Sequence, residues 1–375
     1  MCGILGAIGN FNRDRFRKAL DKLNHRGLDH NAIFEDKNLF LGHTRLSIID
    51  PLPEANQPFI TEDFMLVFNG EIYNFKELIS KYNLTCKTKS DTEVILRLYE
   101  RIGIECLDEF NGMFAFALYD KKSQKIILAR DRFGKKPLYF YTKDSTFIFA
   151  SEIKAILSLL DFKPNINLQA LREYLAYLAP LPPNTFFEGI KKLDSGHFAT
   201  FDMSTKTLKV ERYYDLIENI KPKNTTKTEA LKDIEHLLFE SLNYRLVSDV
   251  EVASLLSGGI DSTLLSALYT KISDKKISTF SIGYEEYKKY DELEFARVAS
   301  KAIDSHHFEY ILKKNEFLES ILEVLKQLDE PLGDSACVPL YFLSKMVHKN
   351  GFKVVLSGEG SDEIFLGYDR YFEIL

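Results

Sequence analysis

The sequence predicts two domains of different fold class, an α+β domain followed by an α/β domain with a parallel sheet. A chain of 375 residues is long for a single hydrophobic core, so two domains are expected. The first two hundred residues contain mainly short strands with a few helices, whereas strands alternate with amphipathic helices in the rest. The polar stretch 214–229 suits a linker. We therefore predict domains at residues 2–213 and 230–375.

The elements of the first half follow from runs of apolar or alternating residues bounded by Asn, Gly, Asp and Lys. A Ser-x-x-Glu start followed by apolar spacings of three and four predicts a helix over residues 90–103. Three prolines within 177–190 exclude a regular element there. The predicted strands lie within 64–74, 112–120, 125–131, 145–152 and a final pair in 196–216.

The second half alternates buried strands and helices, which is typical of βαβ units. In such sheets, ligands bind beyond the carboxyl ends of the strands. The predicted strands are 252–257, 276–284, 306–312 and 352–357, and the predicted helices are 262–272, 291–303, 315–328 and 335–350.

The composition excludes several classes of function. Net charge is −6 and the isoelectric point about 5.9, so no basic field is available for nucleic acid or anionic lipid. The longest apolar runs, such as 114–119, are far shorter than the roughly 20 residues of a membrane span. We therefore expect neither a nucleic-acid partner nor a membrane, and the sequence shows no secretory signal.

Cysteine usage favours a reducing compartment. Cys2, Cys86, Cys106 and Cys337 lie far apart and show no CxxC or Cys/His spacing. Neither a zinc site nor a disulfide framework is therefore supported. We predict a cytoplasmic protein.

The loop after the first strand of the second half, LLSGGIDST, has the composition of a phosphate site. Gly258 and Gly259 leave room for a ligand at the backbone, and the following helix start offers unpaired N–H groups. Asp261 beside phosphates makes sense as a Mg²⁺ ligand. A tight strand–helix turn with Asp261 and Ser262 as caps is the alternative. The composite pattern SGGxDS resembles the pyrophosphate-binding loop of ATP pyrophosphatase-type enzymes, and Ser257 opens it.

A second loop, LSGEGSDEIF, also follows an apolar strand. Its glycines and hydroxyls offer donors and its acidic residues offer carboxylates, a mixture that suits phosphate with magnesium. Parallel-sheet geometry should bring it to the same edge as the first loop; a solvated acidic turn is the alternative. After a third strand, Ile282 and Gly283 are positioned to receive an adenine. The residues concerned in the second loop are Ser357, Gly358, Glu359, Gly360, Ser361, Asp362 and Glu363.

Cys2 follows the initiator methionine directly, and a small residue at this position usually allows Met1 to be removed. Cys2 would then carry both a thiol, with a reference pKa of about 8.5, and an α-amine of about 7.7–8.0. Such a residue is a nucleophile with its own base. A cysteine merely tolerated at position 2 is the alternative.

Residues elsewhere in the first half could form an amino-acid site around Cys2. Arg45 has a planar fork that suits a carboxylate, while Glu71 and Asp91 could hold an ammonium group. Asn69 and Gly70 could serve as an oxyanion hole. Each residue alone also has an ordinary explanation as a surface charge, a turn or a helix cap.

Together these motifs resemble the glutamine-hydrolysing asparagine synthetases in order and spacing, over essentially the whole chain. The resemblance implies a class II amidotransferase domain of the Ntn-hydrolase type, with αββα layers, followed by an incomplete ATP pyrophosphatase-type domain. The motifs are MCGILGAIG, HRG, GHTRLSIID, NQP, NGEIYNFKELI, SDTEVIL, NGMFAFALYD, RDRFGKKPLYF, EGIKKLDSGH, LLSGGIDS and LSGEGSDEIF.

The resemblance implies a reaction at each half of the chain. Cys2 would attack the glutamine side-chain amide to form a glutamyl thioester, with Asn69 and Gly70 holding the oxyanion. Ammonia would pass through an internal tunnel to a site where ATP adenylates the side chain of aspartate. Ammonia would then displace AMP, giving asparagine. The implied glutamine-binding residues are Arg45, Leu46, Ser47, Ile48, Ile49, Asn69, Gly70, Glu71 and Asp91.

For the second half, the resemblance and the loop chemistry together assign an ATP site with Mg²⁺. Asp261 and Asp362 match the magnesium positions, and Glu359 matches a residue needed for the acyl-adenylate step. A homodimer is compatible with the sequence. The ATP-binding residues are Leu255, Ser257, Gly258, Gly259, Asp261, Ser262, Ile282, Gly283, Ser357 and Gly358.

The chain departs from the family pattern in three places. Leu28 stands where proline is usual, and Leu366 where glycine is usual. The family's synthetase domain also continues well beyond residue 375 and contributes a further lysine, so we expect a truncated chain. Three alternatives remain open: amidation of another carboxylate such as a sugar acid or peptide, glutamine hydrolysis alone, or a non-catalytic chain that binds nucleotide or a companion chain.

Overall fold

The computed structural model describes residues 1–286 and 288–372. They form two compact units, the first comprising residues 1–223 with 328–333 and the second beginning at Asn224 and resuming at Asp334. Asn224 lies inside the predicted linker 214–229, which also contains a short helix at Leu216–Asn219. The assignment of 2–213 and 230–375 as domains stays a prediction.

Among the described residues, the first unit holds two six-stranded antiparallel sheets. Their strand orders are β10-β8-β9-β1-β3-β2 and β12-β11-β7-β6-β5-β4. The strands are β1 (Gly3–Ile8), β2 (His30–Asp36), β3 (Leu39–Arg45), β4 (Phe59–Ile60), β5 (Phe64–Ile72), β6 (Gly112–Asp120), β7 (Lys125–Arg130), β8 (Tyr139–Lys143), β9 (Thr146–Ala150), β10 (Ile190–Lys192), β11 (His197–Asp202) and β12 (Thr207–Arg212).

Some helices of this unit begin at polar side-chain caps that the sequence supplies. The Asn12 side chain accepts from the N–H of Arg15, and Ser90 accepts from that of Thr92. Glu93 does not complete the capping box expected from Ser-x-x-Glu, because its carboxylate accepts from the N–H groups of Lys87 and Thr88 instead. The helices are α1 (Arg13–Asp21), α2 (Phe75–Tyr82), α3 (Asp91–Ile102), α4 (Cys106–Glu109), α5 (Ile153–Leu159), α6 (Leu168–Tyr177) and α7 (Leu216–Asn219), with 3₁₀ turns at Asn24–Arg26, Pro53–Ala55 and Gly103–Glu105.

The two sheets stack through a core to which both contribute, including Ile4, Val67, Leu128 and Phe149. On the outer face of the first sheet a second cluster packs α1 and α5 against β1, β3 and β9. On the second sheet, α3 packs against β5. Alternation of side chains across each strand allows one face to meet the partner sheet and the other a helix. These layers confirm the predicted αββα class.

The second unit contains, in the described part of the chain, a parallel sheet with strand order β15-β14-β13-β16. Phe280 and Ala253 pack on one face against the helix Cys337–Lys349 (α12). Ile277 and Leu356 belong to a cluster with the helices Lys227–Arg245 (α8) and Ile260–Ile272 (α9). The strands are β13 (Val252–Leu255), β14 (Ser278–Tyr284), β15 (His306–Leu312) and β16 (Val354–Leu356). This arrangement confirms the predicted α/β class.

The helices of the second unit follow the predicted alternation. The first of them begins at a capping box in which Thr226 and Glu229 satisfy each other's backbone N–H groups. No helix among residues 1–286 and 288–372 is long and apolar enough to cross a bilayer. The helices are α8 (Lys227–Arg245), α9 (Ile260–Ile272), α10 (Leu293–Ala302), α11 (Lys314–Gln327), α12 (Cys337–Lys349), α13 (Ser361–Phe365) and α14 (Asp369–Phe372), with a 3₁₀ turn at Lys288–Tyr290.

Candidate active site

A pocket in the first unit brings together most of the residues that the sequence assigns to glutamine chemistry. It is formed where β1 begins, β3 ends, β5 passes and α3 starts. Ser47 does not line it; its N–H donates to the Asp29 carboxylate, 2.7 Å away, and so helps to shape the loop after β3. The predicted residues that line the pocket are Cys2, Arg45, Leu46, Ile48, Ile49, Asn69, Gly70, Glu71 and Asp91.

Cys2 is held by contacts at its carbonyl oxygen and at its sulfur. The Leu46 N–H lies 3.4 Å from Cys2 Sγ, which accepts from it. Arg26 Nε donates to the Cys2 carbonyl oxygen over 2.9 Å. Burial raises the pKa of the Cys2 thiol, an effect opposed by the Leu46 N–H and by the positive charges nearby. The pocket therefore contains a fixed thiol that needs a base to become nucleophilic.

The chain's α-amine lies close enough to this thiol to interact with it electrostatically. In the structure Met1 precedes Cys2 and carries the amine. Burial lowers the pKa of the amine to about 6, with Arg26 acting in the same direction. An amine with this pKa is largely unprotonated at neutral pH, as a general base must be.

Asn69 is the most unusual polar residue of the pocket. It lies on β5 with no exposed surface, and within the described residues neither its Nδ2 nor its Oδ1 has a hydrogen-bond partner. A buried amide without a partner costs about 1–3 kcal/mol. Since the side chain lines the pocket beside Cys2, a ligand oxygen would supply the missing partner.

Gly70 follows Asn69 where β5 passes close to β6. A Cβ at this position would lie 2.1 Å from the Met113 carbonyl oxygen, so a larger residue would push the strands apart. The absence of a side chain also leaves the backbone of β5 accessible from the pocket.

Arg45 is buried, and its guanidinium is already engaged. Nη1 donates to Leu52 O at 3.0 Å and to Asn56 Oδ1 at 2.7 Å. Nη2 donates to the carbonyl oxygens of Ile49 and Asp50. These four contacts use all the hydrogens of the two terminal nitrogens. In this structure the fork holds the loop after β3 in shape, and a bidentate carboxylate would have to displace those carbonyls.

Asp91 and Glu71 supply the negative charge of the pocket. Asp91 Oδ2 accepts from the Ile72 N–H at 2.9 Å, which fixes the carboxylate at the start of α3. Burial raises the pKa of Asp91 to about 7, and the nearby charge of Glu71 adds to the increase. Asp91 therefore changes charge in the neutral range.

The pocket is also lined by residues that the sequence did not predict, among them Lys136 and Gln57. Burial lowers the pKa of Lys136, while the charge of Glu71 opposes that change. Gln57 Oε1 accepts from the Phe68 N–H at 2.6 Å. Lys136 belongs to the motif RDRFGKKPLYF and Gln57 to the motif NQP. Membership in these family motifs is the feature of the sequence that could have indicated both residues.

The loop that presents Lys136 is held by two charged neighbours. Arg130 donates to the carbonyl oxygens of Gly134 and Lys136, at 2.5 and 2.8 Å. The Asp131 carboxylate accepts from the N–H groups of Lys135 and Lys136, at 2.9 and 3.0 Å. Lys136 and Arg45 thus line the same pocket as the carboxylates of Glu71 and Asp91, so the lining includes basic and acidic side chains.

In the second unit, the first predicted phosphate loop connects β13 to α9. Ser257 and Ser262 share a hydrogen bond of 2.9 Å between their hydroxyls, and the Gly259 N–H donates to Ser257 Oγ over 3.1 Å. Gly258 has φ of +86°, and a Cβ there would lie 2.4 Å from the Ala296 nitrogen. This glycine is therefore required by both backbone conformation and space.

The second predicted loop connects β16 to α13, and the structure brings it beside the first. β13 and β16 are neighbouring parallel strands, with Ser254 paired to Leu356. A Cβ on Gly358 would lie 3.1 Å from Asp261 Cβ and 3.3 Å from the Ser262 nitrogen. The two glycine-containing loops therefore meet at one sheet edge, as parallel-sheet geometry predicts.

The remaining predicted residues of this unit surround the same edge or follow it. Leu255 and Ile282 lie near the carboxyl ends of β13 and β14, followed on β14 by Gly283. Glu359 is exposed, and Asp362 lies in the first turn of α13. Over the described ranges, no cluster of three His, Cys, Asp or Glu side chains could hold a metal ion by itself.

Leu366, where the family usually has glycine, ends α13. Its φ is +58°, in the left-handed region that favours glycine. The other departure, Leu28, is exposed.

Comparison with known proteins matches each half to a family. Residues 1–214 match the glutamine amidotransferase domain family, and residues 233–375 match the asparagine synthase family. A Methanocaldococcus jannaschii protein, provisionally assigned as glutamine-hydrolysing asparagine synthetase 2, is 37% identical over 98% of this chain and 76% of its own. Bacillus subtilis asparagine synthetase [glutamine-hydrolyzing] 1 is 34% identical over 100% of this chain.

The chain spans only 60% of the length of that Bacillus subtilis relative. Asparagine synthetase [glutamine-hydrolyzing] 3 of the same organism is 32% identical over 98% of this chain and 63% of its own. The similarity includes both halves of the chain. This protein therefore belongs to the family of glutamine-hydrolysing asparagine synthetases.

Proposed function

We propose that the first unit hydrolyses glutamine to glutamate and ammonia with Cys2 as its nucleophile, once Met1 has been removed. The observation that carries this proposal is the buried Asn69 amide, unpartnered within the described residues, in the same pocket as the Cys2 thiol. Charges of both signs around them, from Arg45, Lys136 and Asp91, suit the carboxylate and ammonium groups of an amino acid.

The chemistry proceeds in two steps. The α-amine of Cys2 takes the thiol proton, and the sulfur attacks the side-chain carbonyl carbon of glutamine. Asn69 Nδ2 and the Gly70 N–H donate to the oxygen as its charge develops. The C–N bond then breaks, the amine returns its proton to the leaving nitrogen, and ammonia departs. Water hydrolyses the resulting glutamyl thioester and regenerates the thiol.

We propose that the other predicted residues bind the two ends of the glutamine substrate. Asp91 and Glu71 hold the ammonium group of glutamine, while the loop from Arg45 to Ile49 surrounds its carboxylate end. Since the terminal nitrogens of Arg45 are engaged by backbone carbonyls, its main contribution is to keep this loop in shape. Leu46, Ser47 and Ile48 complete the loop.

For the second unit, we propose ATP-dependent activation of the aspartate side chain, followed by ammonia attack to give asparagine, AMP and pyrophosphate. The adjacent loops at residues 257–262 and 357–362 support this proposal because their serines, glycines and helix starts offer donors to phosphate. Glu359 serves the acyl-adenylate step. An adenine would lie near Leu255, Ile282 and Gly283.

Two carboxylates in these loops suit Mg²⁺. Magnesium is usually held by one or two carboxylates together with substrate phosphates, so the lack of a three-residue cluster in the described ranges fits this donor set. Asp261 and Asp362 would hold the ion, which would neutralise phosphate charge. The four cysteines are free thiols, which supports the proposed cytoplasmic location.

The test measures glutamate release from glutamine by this chain, together with asparagine formation in the presence of ATP, Mg²⁺ and aspartate. We expect hydrolysis by the wild type and none by Cys2→Ala. Cys86→Ala is the matched control, because Cys86 is a half-buried cysteine outside the pocket. Absence of hydrolysis by the wild type would contradict the proposal for the first unit.

The acceptor is tested separately by pyrophosphate release from ATP. Aspartate should stimulate the release, whereas sugar acids and peptide carboxylates should not. Stimulation by another carboxylic acid alone would contradict the assignment of aspartate.

A further inference from the structure

Glu152 is a buried carboxylate outside the pocket that the proposed reaction does not use. It follows β9 and precedes α5, and 9% of its surface is exposed. Its Oε1 accepts from Arg26 Nη1 at 2.7 Å and lies 3.0 Å from His25 Nε2. Its Oε2 lies 3.1 Å from Lys154 Nζ. Three basic side chains therefore surround one carboxylate.

Arg26 connects this carboxylate to the nucleophile. Through Nε it donates to the Cys2 carbonyl oxygen at 2.9 Å, while Nη1 remains bound to Glu152. The planar guanidinium thus links the residue that precedes β1 to the segment between β9 and α5. Ser151, next to Glu152, adds a second link, because its Oγ accepts from the Ile4 N–H at 3.0 Å.

The charge of Glu152 is maintained by these neighbours. Burial acts to raise its pKa, but the His25 hydrogen bond and the charge of Arg26 bring the pKa down to about 2. Glu152 is therefore ionised throughout the working range. Arg26 also acts on this end of the chain electrostatically, since its charge lowers the pKa of the Cys2 thiol and that of the α-amine, which Met1 carries in this structure.

Asp329 contacts the start of α5 and the side chain of Lys154, which also contacts Glu152. Its carboxylate accepts from the Ile153 N–H at 2.5 Å and the Lys154 N–H at 3.3 Å, and lies 3.6 Å from Lys154 Nζ. Asp329 thereby caps α5, a role that Glu152 at the N-cap position does not fill.

The stretch 328–333 that carries Asp329 is part of the first unit, although its sequence lies within the match to the asparagine synthase family. Glu330, the residue after Asp329, accepts from the Phe186 N–H at 2.6 Å. Two successive half-buried carboxylates therefore anchor this stretch. A continuous series of contacts therefore runs from Asp329 through Lys154, Glu152 and Arg26 to Cys2.

We propose that Glu152 is a positioning residue for Cys2 that acts through Arg26, and that Asp329 holds Glu152 in place. The glutamine-hydrolysing centre then depends on a residue contributed by the sequence of the asparagine synthase family. This inference rests on the proposed function of the first unit, and it concerns placement and electrostatics rather than contact with substrate.

The first test is Glu152→Gln, which keeps an acceptor for Arg26 but removes the negative charge. We expect kcat for glutamine hydrolysis to fall by roughly tenfold to a hundredfold with little change in KM, since misplacement of about 1 Å can cost that much. The charge of Arg26, no longer balanced, should lower the pKa of the α-amine. The acid limb of the kcat/KM profile should then move to lower pH by about half a unit or more.

Conservative and unrelated variants separate positioning from general loosening of the fold. Glu152→Asp should restore the wild-type position of the acid limb, because the charge is retained. Glu105→Gln, at an exposed carboxylate, makes the same change in net charge and should leave both kcat and the profile unchanged. An unshifted acid limb in Glu152→Gln would overturn the proposal for Glu152, even if kcat were reduced.

The role of Asp329 is tested by a double-mutant cycle. Asp329→Asn should lower kcat in the same direction as Glu152→Gln. The two changes together should cost less than the product of their separate effects, because both act through Arg26. Effects that simply multiply, or an unchanged kcat in Asp329→Asn, would overturn its part of the proposal.

A readout without substrate distinguishes this inference from the proposed function. The rate of Cys2 alkylation by iodoacetamide is measured against pH by mass spectrometry of the amino-terminal peptide. Glu152→Gln should shift the midpoint of this curve to lower pH, whether or not the wild type hydrolyses glutamine. A shifted midpoint without hydrolysis would contradict only the proposed function, and hydrolysis without a shift would contradict only the present inference.

Discussion

The backbone N–H of Leu46 lies 3.4 Å from the sulfur of Cys2 and donates to it. This contact joins the loop after β3 to the residue that precedes β1, 44 positions away in the sequence. A donor directed at the sulfur favours its ionised form, whereas burial of the thiol opposes ionisation. The loop that Arg45 holds in shape therefore also sets the environment of the Cys2 sulfur.

Replacement of Asn69 should slow catalysis without lowering stability. Asn69→Ala removes a donor that has no hydrogen-bond partner within the described residues, so no bond of the folded state is lost. We expect kcat for glutamine hydrolysis to fall by about 10²–10³-fold, as for other oxyanion-hole donors, with KM changed much less. Steady-state kinetics and thermal unfolding measure the two effects.

The matched control for Asn69 is Asn74→Ala. Asn74 has partners, because its Nδ2 donates to Glu109 O at 2.9 Å and its Oδ1 accepts from the Asn111 N–H at 3.0 Å. This variant should lose stability and retain kcat. Equal kcat values for Asn69→Ala and the wild type would rule out the oxyanion-hole role.

Asp91 should give glutamine hydrolysis a pH dependence that an asparagine variant lacks. Burial raises the pKa of its carboxyl to about 7, so protonation below that pH removes the charge proposed to bind the substrate ammonium. The kcat/KM profile of the wild type should therefore fall below pH 7 through both Asp91 and the α-amine. Asp91→Asn should have a higher KM and a shallower acid limb, because only the amine then titrates.

Stability provides an independent check of the Asp91 pKa. The ordinary carboxyl pKa is 3.8, so the folded state binds the proton more tightly than the unfolded chain. The protonated Asp91 carboxyl stabilises the folded state fully below about pH 4, and this stabilisation is lost as the pH rises through about 7. Relative to the wild type, Asp91→Asn should gain free energy of unfolding over this range. A constant difference between pH 4 and pH 8 would contradict the shifted pKa.

Asp261 should control magnesium-dependent nucleotide binding in the second unit without affecting glutamine hydrolysis. Asp261→Asn removes one of the two proposed Mg²⁺ ligands. We expect ATP affinity to fall at least tenfold with Mg²⁺ present, and the rate of glutamate release to stay within about twofold. Equilibrium binding of ATP with and without Mg²⁺ makes the measurement, and exposed Asp274→Asn is the control. Unchanged affinity in Asp261→Asn would exclude this role.

The two adjacent glycines of the first phosphate loop should respond very differently to alanine. At Gly258 a Cβ would lie 2.4 Å from the Ala296 nitrogen, and φ is +86°. Gly258→Ala should lower the free energy of unfolding by about 1–3 kcal/mol or more. At Gly259 the nearest atom would be the Ser257 hydroxyl oxygen, at 3.2 Å, and φ is −67°. Denaturant unfolding should show a much smaller loss there, and equal losses would contradict the close approach of Gly258 to the backbone of α10.

The sequence predicted the fold and the two loop systems because their signals are local. Alternating apolar runs indicate strands such as 112–120, and the change to strand–helix alternation after residue 230 indicates a parallel sheet. Neighbouring parallel strands then bring residues 257–262 and 357–362 to one edge. The family resemblance added the assembly of Cys2 with Asn69 and Asp91, which spacing alone left open.

The remaining features depend on contacts between distant parts of the chain. The Arg45 guanidinium donates to four acceptors only because the loop after β3 brings residues 49–56 back towards Arg45. Lys136 lines the pocket because Arg130 and Asp131 hold its loop. The contact of Asp329 with α5 joins residues 176 positions apart. No local pattern of hydrophobicity or capping encodes such contacts.

The central claim is that Cys2, freed of Met1, forms a covalent glutamyl intermediate. It is tested most directly by mass spectrometry of the amino-terminal peptide after incubation with glutamine and acid quench. The account predicts a peptide that begins at Cys2 and carries a glutamyl group removable by hydroxylamine. Retention of Met1 on all molecules, or glutamine turnover by Cys2→Ala at the wild-type rate, would contradict it.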